Sequence, residues 1–178
     1  MACWNVISHQ EASSGSVGSF DFTSIPSSYD HLCLRLSLRD DKSSAYKNNI
    51  HLELNGSTSS EYSTTMLYCG STVLSTRASA SYDFYSAYEA CEDTLADTFA
   101  TAEIWFIDYS NTDTYKTYVS QGGLPNNDST EWRWQNFVTG GSFQSTAAIN
   151  RIYFEPDGSF YDYVQYSSAT LYGINGAA

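Results

Sequence analysis

Leucine occupies every second position in one stretch of this chain, and this alternation constrains the fold more than any other feature. The leucines are Leu32, Leu34, Leu36 and Leu38, and they alternate with Cys33, Arg35 and Ser37. A period of two places all four leucines on one face of a β-strand. The pattern recurs at Ile50, Leu52 and Leu54, where Asn55-Gly56 then ends the segment with residues that favour a tight turn. The sequence therefore predicts two half-buried strands, which are candidates to pair across a long loop.

Further strand patterns follow along the chain, separated by turn residues. They are residues 3–8, residues 20–22, Ala102–Tyr109, Tyr115–Val119, Glu131–Val138, Ile149–Glu155 and Ala169–Ile174. Many short strands with turn signals between them are typical of a sandwich or a barrel. The composition agrees, because the chain has 15 Tyr and 9 Phe, and aromatic residues favour strands. We predict an all-β fold of roughly eight to ten strands.

Two segments admit a helical interpretation. Tyr62, Met66 and Leu67 could line a single helical turn within residues 59–70, which could equally be irregular. Glu89–Phe99 is the other short helix candidate. The fold is thus expected to contain at most one or two helical turns. A length of 178 residues suits one domain. We assign residues 19–178 to it and interpret residues 1–18 as an N-terminal arm or an edge strand.

The net charge of the chain limits the classes of partner that it can bind. A formal net charge of −12 argues against a nucleic-acid partner, which needs a basic surface. No run approaches the roughly 18 apolar residues of a membrane helix, and the first residues lack the pattern of a signal peptide, so no membrane partner is expected. A basic protein surface is a more plausible partner than a nucleic acid, and the alternative is that the acidity only keeps the protein soluble and dispersed. The spacing of Cys3, Cys33, Cys69 and Cys91 matches no zinc motif, and we expect free thiols in a reducing cytoplasm.

The sequence contains none of the catalytic or metal-binding motifs considered below. His9, His31 and His51 are too far apart to form a metal motif, and the chain has no nucleophile elbow, zincin motif or P-loop. Many carboxylates are present, but a glycosidase needs two at a set separation, which a sequence does not reveal. We expect no catalytic residues, no cofactor and no metal.

Motifs along the whole domain, at both ends and between them, resemble those of one protein family. The entry segment carries Phe22, Ile25, Pro26, Tyr29 and Leu32, and the exit segment is Leu171-Tyr172-Gly173-Ile174. Between them lie Leu52-x-Leu54-Asn55-Gly56 with Tyr62, then Ile104-x-Phe106-Ile107-x-Tyr109-x-Asn111-Thr112 with Lys116, then Thr146–Ile152. In this order and spacing the motifs resemble structural proteins of tailed-bacteriophage virions, over nearly all of the chain after Ser19.

The resemblance implies a jelly-roll-like antiparallel β-sandwich in a phage particle, assembled in the host cytoplasm. It further implies a non-enzymatic capsid decoration or cement protein, expected as a homotrimer, whose partners are the major capsid protein or other virion proteins. We expect Trp4 and Val6 of the N-terminal segment to provide attachment.

A set of aromatic residues leaves a second function open. Within Ala102–Tyr109, the alternation predicts Trp105, Ile107 and Tyr109 on one face and Ile104 and Phe106 on the other, so both faces are apolar and the strand is either central in a sandwich or exposes one face to another subunit. The aromatic set consists of Trp105, Tyr109, Trp132 and Trp134. They suit either the core or a subunit interface, or a platform on which sugars stack. The platform would mark a tail-fibre or receptor-binding module that recognises host-surface glycans.

Overall fold

The computed structural model describes residues 3–14, 16–69, 73–81, 84–124, 135–158 and 160–176, and all regular elements in these ranges are strands. They are β1 (Cys3–Glu11), β2 (Phe20–Phe22), β3 (His31–Leu38), β4 (Lys47–Leu54), β5 (Tyr62–Cys69), β6 (Val73–Ser81), β7 (Phe84–Ala90), β8 (Ala100–Ile107), β9 (Lys116–Leu124), β10 (Gln135–Phe143), β11 (Ile152–Pro156) and β12 (Ser168–Asn175). The predicted all-β fold is confirmed, with twelve strands where roughly eight to ten were expected. None of the described residues forms a helix that is long and apolar enough to cross a membrane.

The strands form two antiparallel sheets. The larger sheet has the order β1-β12-β3-β8-β9-β10-β5-β6, and the smaller has the order β2-β11-β4-β7. Eight of the strands, β2 to β8 and β11, can be renumbered 1 to 8 in chain order. In that numbering the smaller sheet has the order 1-8-3-6, and these strands of the larger sheet have the order 2-7-4-5. This is the strand order of a double-sheet jelly roll. The β9–β10 hairpin is inserted into the larger sheet, and β1 and β12 extend its β3 edge.

The core lies between the sheets and contains the leucines of the alternating pattern. Leu32 and Leu34 of β3 are fully buried, as are Ile50 and Leu52 of β4. The expectation that these two strands pair is wrong, because β3 belongs to the larger sheet and β4 to the smaller. Two strands with one apolar face each can bury those faces against each other across a sandwich, and here they do so without sharing a hydrogen-bond ladder.

Both helical interpretations are also wrong. Residues 62–69 form β5, which pairs with β10 and β6. Residues 84–90 form β7, and the segment that follows is made of turns. Tyr62 and Met66 are four positions apart, a spacing that suits one helical face as well as one strand face. Pairing with two neighbouring strands decides in favour of the strand.

The entry and exit segments meet at one end of the sandwich. The ring of Tyr29 packs on Gly173, where a Cβ atom would overlap it. The backbone N–H of Asp30 donates to the carbonyl of Ile174 at 3.0 Å, and the carboxylate of Asp30 accepts from the N–H of Gly176 at 2.6 Å. The two motifs that carry the family resemblance therefore form one joint in the structure.

Candidate interaction surface

The larger sheet has one face against the core and another that is exposed, which we call the outer face. Partners in an antiparallel ladder share a face, so the register assigns the residues. Trp105 opposes Val119, and Val138 opposes Leu67. The exposed large apolar side chains on the outer face are Trp4, Val6, Leu67, Val73, Ile107, Val119 and Val138. They follow the sheet from β1 to β6, and the stretch from β1 to β5 alone spans roughly 30 Å at the usual strand spacing.

An aromatic cluster lies at the β1 end of the outer face. The ring of Trp4 contacts those of Trp105 and Tyr172 edge-on, with centroid distances of 5.3 and 5.5 Å. The guanidinium of Arg35 lies over the rings of Trp4 and Tyr172 at 5.3 and 5.8 Å. Arg35 also pairs with Glu103, with an Nη2–Oε1 distance of 2.6 Å. These contacts fix the edge strand β1 to the sheet by side chains as well as by its ladder with β12.

Cys33 lies beneath this cluster. It opposes Tyr172 on one side and Trp105 on the other, and it is fully buried although it belongs to the outer face. Burial, with a smaller contribution from the carboxylate of Glu103, raises the pKa of the Cys33 thiol to about 12. The thiol is therefore unreactive while Trp4 and its neighbours cover it. All four cysteines are free thiols in the structure.

The predicted site residues separate into three groups. Trp4 and Val6 are exposed on β1, and Trp105 lies beside Trp4. Tyr109 was expected to share the face of Trp105, and this is wrong, because Tyr109 is fully buried in the core and donates its hydroxyl hydrogen to the carbonyl of Pro26.

A backbone turn explains the position of Tyr109. Asp108 has a φ of 49°, which ends β8 and turns Tyr109 away from the outer face. Trp132 and Trp134 lie outside the described residues.

An open cleft of about 830 Å³ lies at one end of the outer face. Its lining includes the side chains of Arg35, Glu103, Gln121 and Asn136. Guanidinium, carboxylate and amide groups of this kind both donate and accept hydrogen bonds, while most of the exposed lining is apolar, so the cleft suits a ligand that combines apolar surface with hydrogen-bonding groups.

The three histidines lie on three different strands, His9 on β1, His31 on β3 and His51 on β4. His51 lies between Glu53 and Glu155, with nitrogen–oxygen distances of 3.6 and 3.3 Å. His31 lies 3.6 Å from Asp108. Within the ranges that the structure describes, no group of three or more His, Cys, Asp or Glu side chains is arranged to hold a metal ion.

Sequence reasoning missed most of the apolar residues of the outer face. Val119 and Val138 each lie on strands whose other face is buried, so their strands have apolar residues on both faces. That signal was recognised only for the β8 segment, where Trp105 and Ile107 alternate with buried residues. Bringing the other strands onto the same surface required the pairing register.

Comparison with known proteins gives no match to any family model, curated protein or solved structure. The proposed function therefore rests on the geometry of this chain and on the motif resemblance.

Proposed function

We propose that this chain is a non-enzymatic structural protein of a bacteriophage particle that decorates or cements the capsid as a homotrimer. The observation that carries the proposal is the apolar outer face of the eight-stranded sheet. Contiguous apolar surface of this kind is unusual on a monomer and marks a protein–protein contact. The jelly-roll strand order and the joint between Tyr29 and Gly173 agree with the motif resemblance.

The chemistry of the outer face suits permanent assembly. Its apolar side chains stabilise a contact when water is removed, at roughly 25 cal/mol per Å² of buried apolar area. The acidic chain, with a net charge of −12, complements a basic patch on the partner. Many copies on one shell then add their weak contacts through multivalency.

Particle incorporation tests the proposal. We expect the double variant Val119→Asp, Val138→Asp to fold and to be absent from purified particles, because it places two carboxylates in the contact. Phe160→Asp is the matched control, since Phe160 is 93% exposed and lies outside the sheets. Incorporation of the double variant at the level of the control would contradict the proposal.

The location of the chain separates the two candidate functions. Electron cryo-microscopy of the particle is expected to show density for this chain over the whole shell, in hundreds of copies. Density at the tail alone would overturn the decoration role and favour host recognition.

A glycan-binding module is the second candidate function, and the open cleft beside Arg35 and Asn136 is the observation that favours it. The cleft includes Gln135, which directly follows the segment that carries Trp132 and Trp134. Sugar recognition combines stacking on aromatic rings with hydrogen bonds to hydroxyls. The glycan-binding function predicts that the protein binds sugars on a glycan array. Trp132→Ala and Asn136→Ala are each expected to abolish this binding without unfolding the protein. An array without signal would count against it.

A further inference from the structure

The loop between β3 and β4 brings a lysine amine against a buried amide. Nζ of Lys42 donates to Oδ1 of Asn48 at 2.9 Å. The side chain of Asn48 lies at the start of β4 and is only 4% exposed. A primary amine is thus held at a carboxamide carbonyl from which bulk water is largely excluded, so hydrolysis does not compete with attack by the amine.

A buried carboxyl group lies at the other end of the same amide. Nδ2 of Asn48 donates to Oδ2 of Asp40 at 2.9 Å and to the backbone carbonyl of Asp157 at 2.9 Å. Asp40 is fully buried, and its Oδ1 accepts from the backbone N–H of Lys42 at 3.3 Å. The carboxyl group of Asp40 therefore faces the nitrogen that would leave as ammonia.

A second buried carboxyl group lies beside the first. Glu89 is fully buried, and within the described ranges neither of its oxygens accepts a hydrogen bond. Burial, followed by the repulsion of Asp40, raises the pKa of Glu89 well above its usual value. The groups that face Glu89 are Asp40, Tyr163 and Asp157, none of which is a cation, and Lys42 is the cation that acts on the neighbouring Cys91. Glu89 is therefore a neutral acid that can donate to Asp40.

We propose that Lys42 and Asn48 become joined by an isopeptide bond, with Asp40 acting as the acid and base at the amide. The neutral amine of Lys42, its ammonium proton having passed to water, attacks Cγ of Asn48 and forms a C–N bond. The attacking nitrogen gives one hydrogen to Asp40, and Nδ2 takes a proton from the Asp40–Glu89 pair as the Cγ–Nδ2 bond breaks. One ammonia leaves, and no oxidant or reductant is needed.

The bond would close the β3–β4 loop covalently beside the core. A cross-link stabilises a fold by restricting the unfolded chain, so it would hold this end of the sandwich during unfolding. The reaction lies within one chain and uses none of the outer-face residues. It therefore stands or falls independently of the proposed function.

Mass spectrometry of the folded, full-length protein tests the proposal. We expect an intact mass below the sequence mass by about 17 Da, the mass of ammonia. Trypsin does not cleave after an acylated lysine. We therefore expect a branched product in which the peptide Asp40–Lys47, uncut at Lys42, is joined to the peptide Asn48–Arg77. A succinimide at Asn48 would cause the same loss of mass but would leave Lys42 cleavable, so that result would overturn the proposal.

Two comparisons complete the test. Lys42→Arg keeps a cation that can donate to Asn48, but a guanidinium does not attack the amide, so the variant is expected to retain its full mass. Protein kept unfolded in urea is expected to retain its full mass until it refolds, because the reaction needs Asp40 beside Asn48. Folded wild-type protein that keeps its full mass after prolonged incubation, with free Asp40–Lys42 in the digest, would refute the bond whatever the variants do.

Discussion

At the scale of single residues, the contact between Tyr29 and Gly173 explains why two distant motifs belong together. A methyl group on Gly173 would overlap the ring of Tyr29. We predict that Gly173→Ala lowers the free energy of unfolding by about 1–3 kcal/mol, the usual cost of overpacking. Chemical denaturation measures it.

Gly140 offers a matched control for this prediction. It lies in β10 of the same sheet, and a Cβ atom there would meet nothing within 4 Å. Gly140→Ala is expected to change the free energy of unfolding by less than about 0.5 kcal/mol. Equal effects of the two substitutions would show that Tyr29 does not require glycine at position 173.

Glu89 gives the molecule a pH dependence. Burial raises its pKa in the folded protein well above the ordinary value of 4.5, so the folded state holds a proton that the unfolded state releases. The stabilisation from Glu89 is therefore complete below pH 4.5 and is lost as the pH rises through the folded pKa. We predict that wild-type stability falls by up to about 1.4 kcal/mol per pH unit in this window relative to Glu89→Gln.

Denaturation curves from pH 4 to pH 9 measure this difference. Glu92→Gln is the control, since Glu92 is exposed and follows β7 two positions after Ala90. The stability of the Glu92→Gln variant is expected to follow that of the wild type at every pH. A Glu89→Gln curve parallel to the wild-type curve would show that Glu89 is ionised in the fold.

Single residues also show the limit of prediction from sequence. The alternating leucines and the turn at Asn55-Gly56 were predictable, because periodicity and turn chemistry are local. Tyr109 was misplaced because its direction depends on the positive φ of Asp108. Glu89 was not predicted to be a buried acid, because its neighbours Asp40 and Tyr163 come from distant parts of the chain.

At the scale of elements, strands with strong alternation were recognised individually, the polar strand β5 was missed, and β6 was predicted only as part of a strand-and-loop region over residues 72–96. β3 and β4 have leucine or isoleucine at alternate positions, whereas β5 and β6 are rich in Ser and Thr. Their position in the sheet comes from the ladders with β10 and with each other, which are long-range contacts. The sheet partner of a polar strand therefore could not be read from its own residues.

The edge strand β1 provides the prediction at this scale. Deleting residues 1–16 removes the ladder with β12 and the ring of Trp4, while β12 keeps its ladder with β3. We predict that the truncated protein folds, no longer joins the particle, and exposes the thiol of Cys33 to alkylating reagents. Labelling followed by peptide mass spectrometry measures the thiol.

Cys91 is the internal control for this experiment. It is fully buried and follows β7, which belongs to the smaller sheet and does not pair with β1, so it is expected to stay unlabelled in the truncated protein. Labelling of both thiols would mean that the truncation unfolds the domain. A protected Cys33, or normal incorporation of the truncated protein, would contradict the role given to β1.

At the scale of the whole molecule, the asymmetry of the sandwich decides how copies associate. One sheet has twice as many strands as the other, so its outer face is broad, and that face is where the exposed valines lie. A stable subunit contact buries about 800 Å² on each partner, and a face roughly 30 Å across provides an area of that order. Apolar residues scattered singly over several surfaces would not provide it.

The last prediction therefore concerns the oligomeric state. We expect the wild-type protein to sediment as a trimer at micromolar concentration and Val119→Asp, Val138→Asp to sediment as a monomer, because an unpaired carboxylate is costly to bury. Phe160→Asp removes a still more exposed apolar side chain away from the sheets and is expected to remain a trimer. If the double variant and the control sediment alike as trimers, the subunits meet elsewhere and the outer face is left for the capsid. If the wild type itself sediments as a monomer, the isolated protein does not form trimers. The apolar face then requires a partner on the particle to cover it.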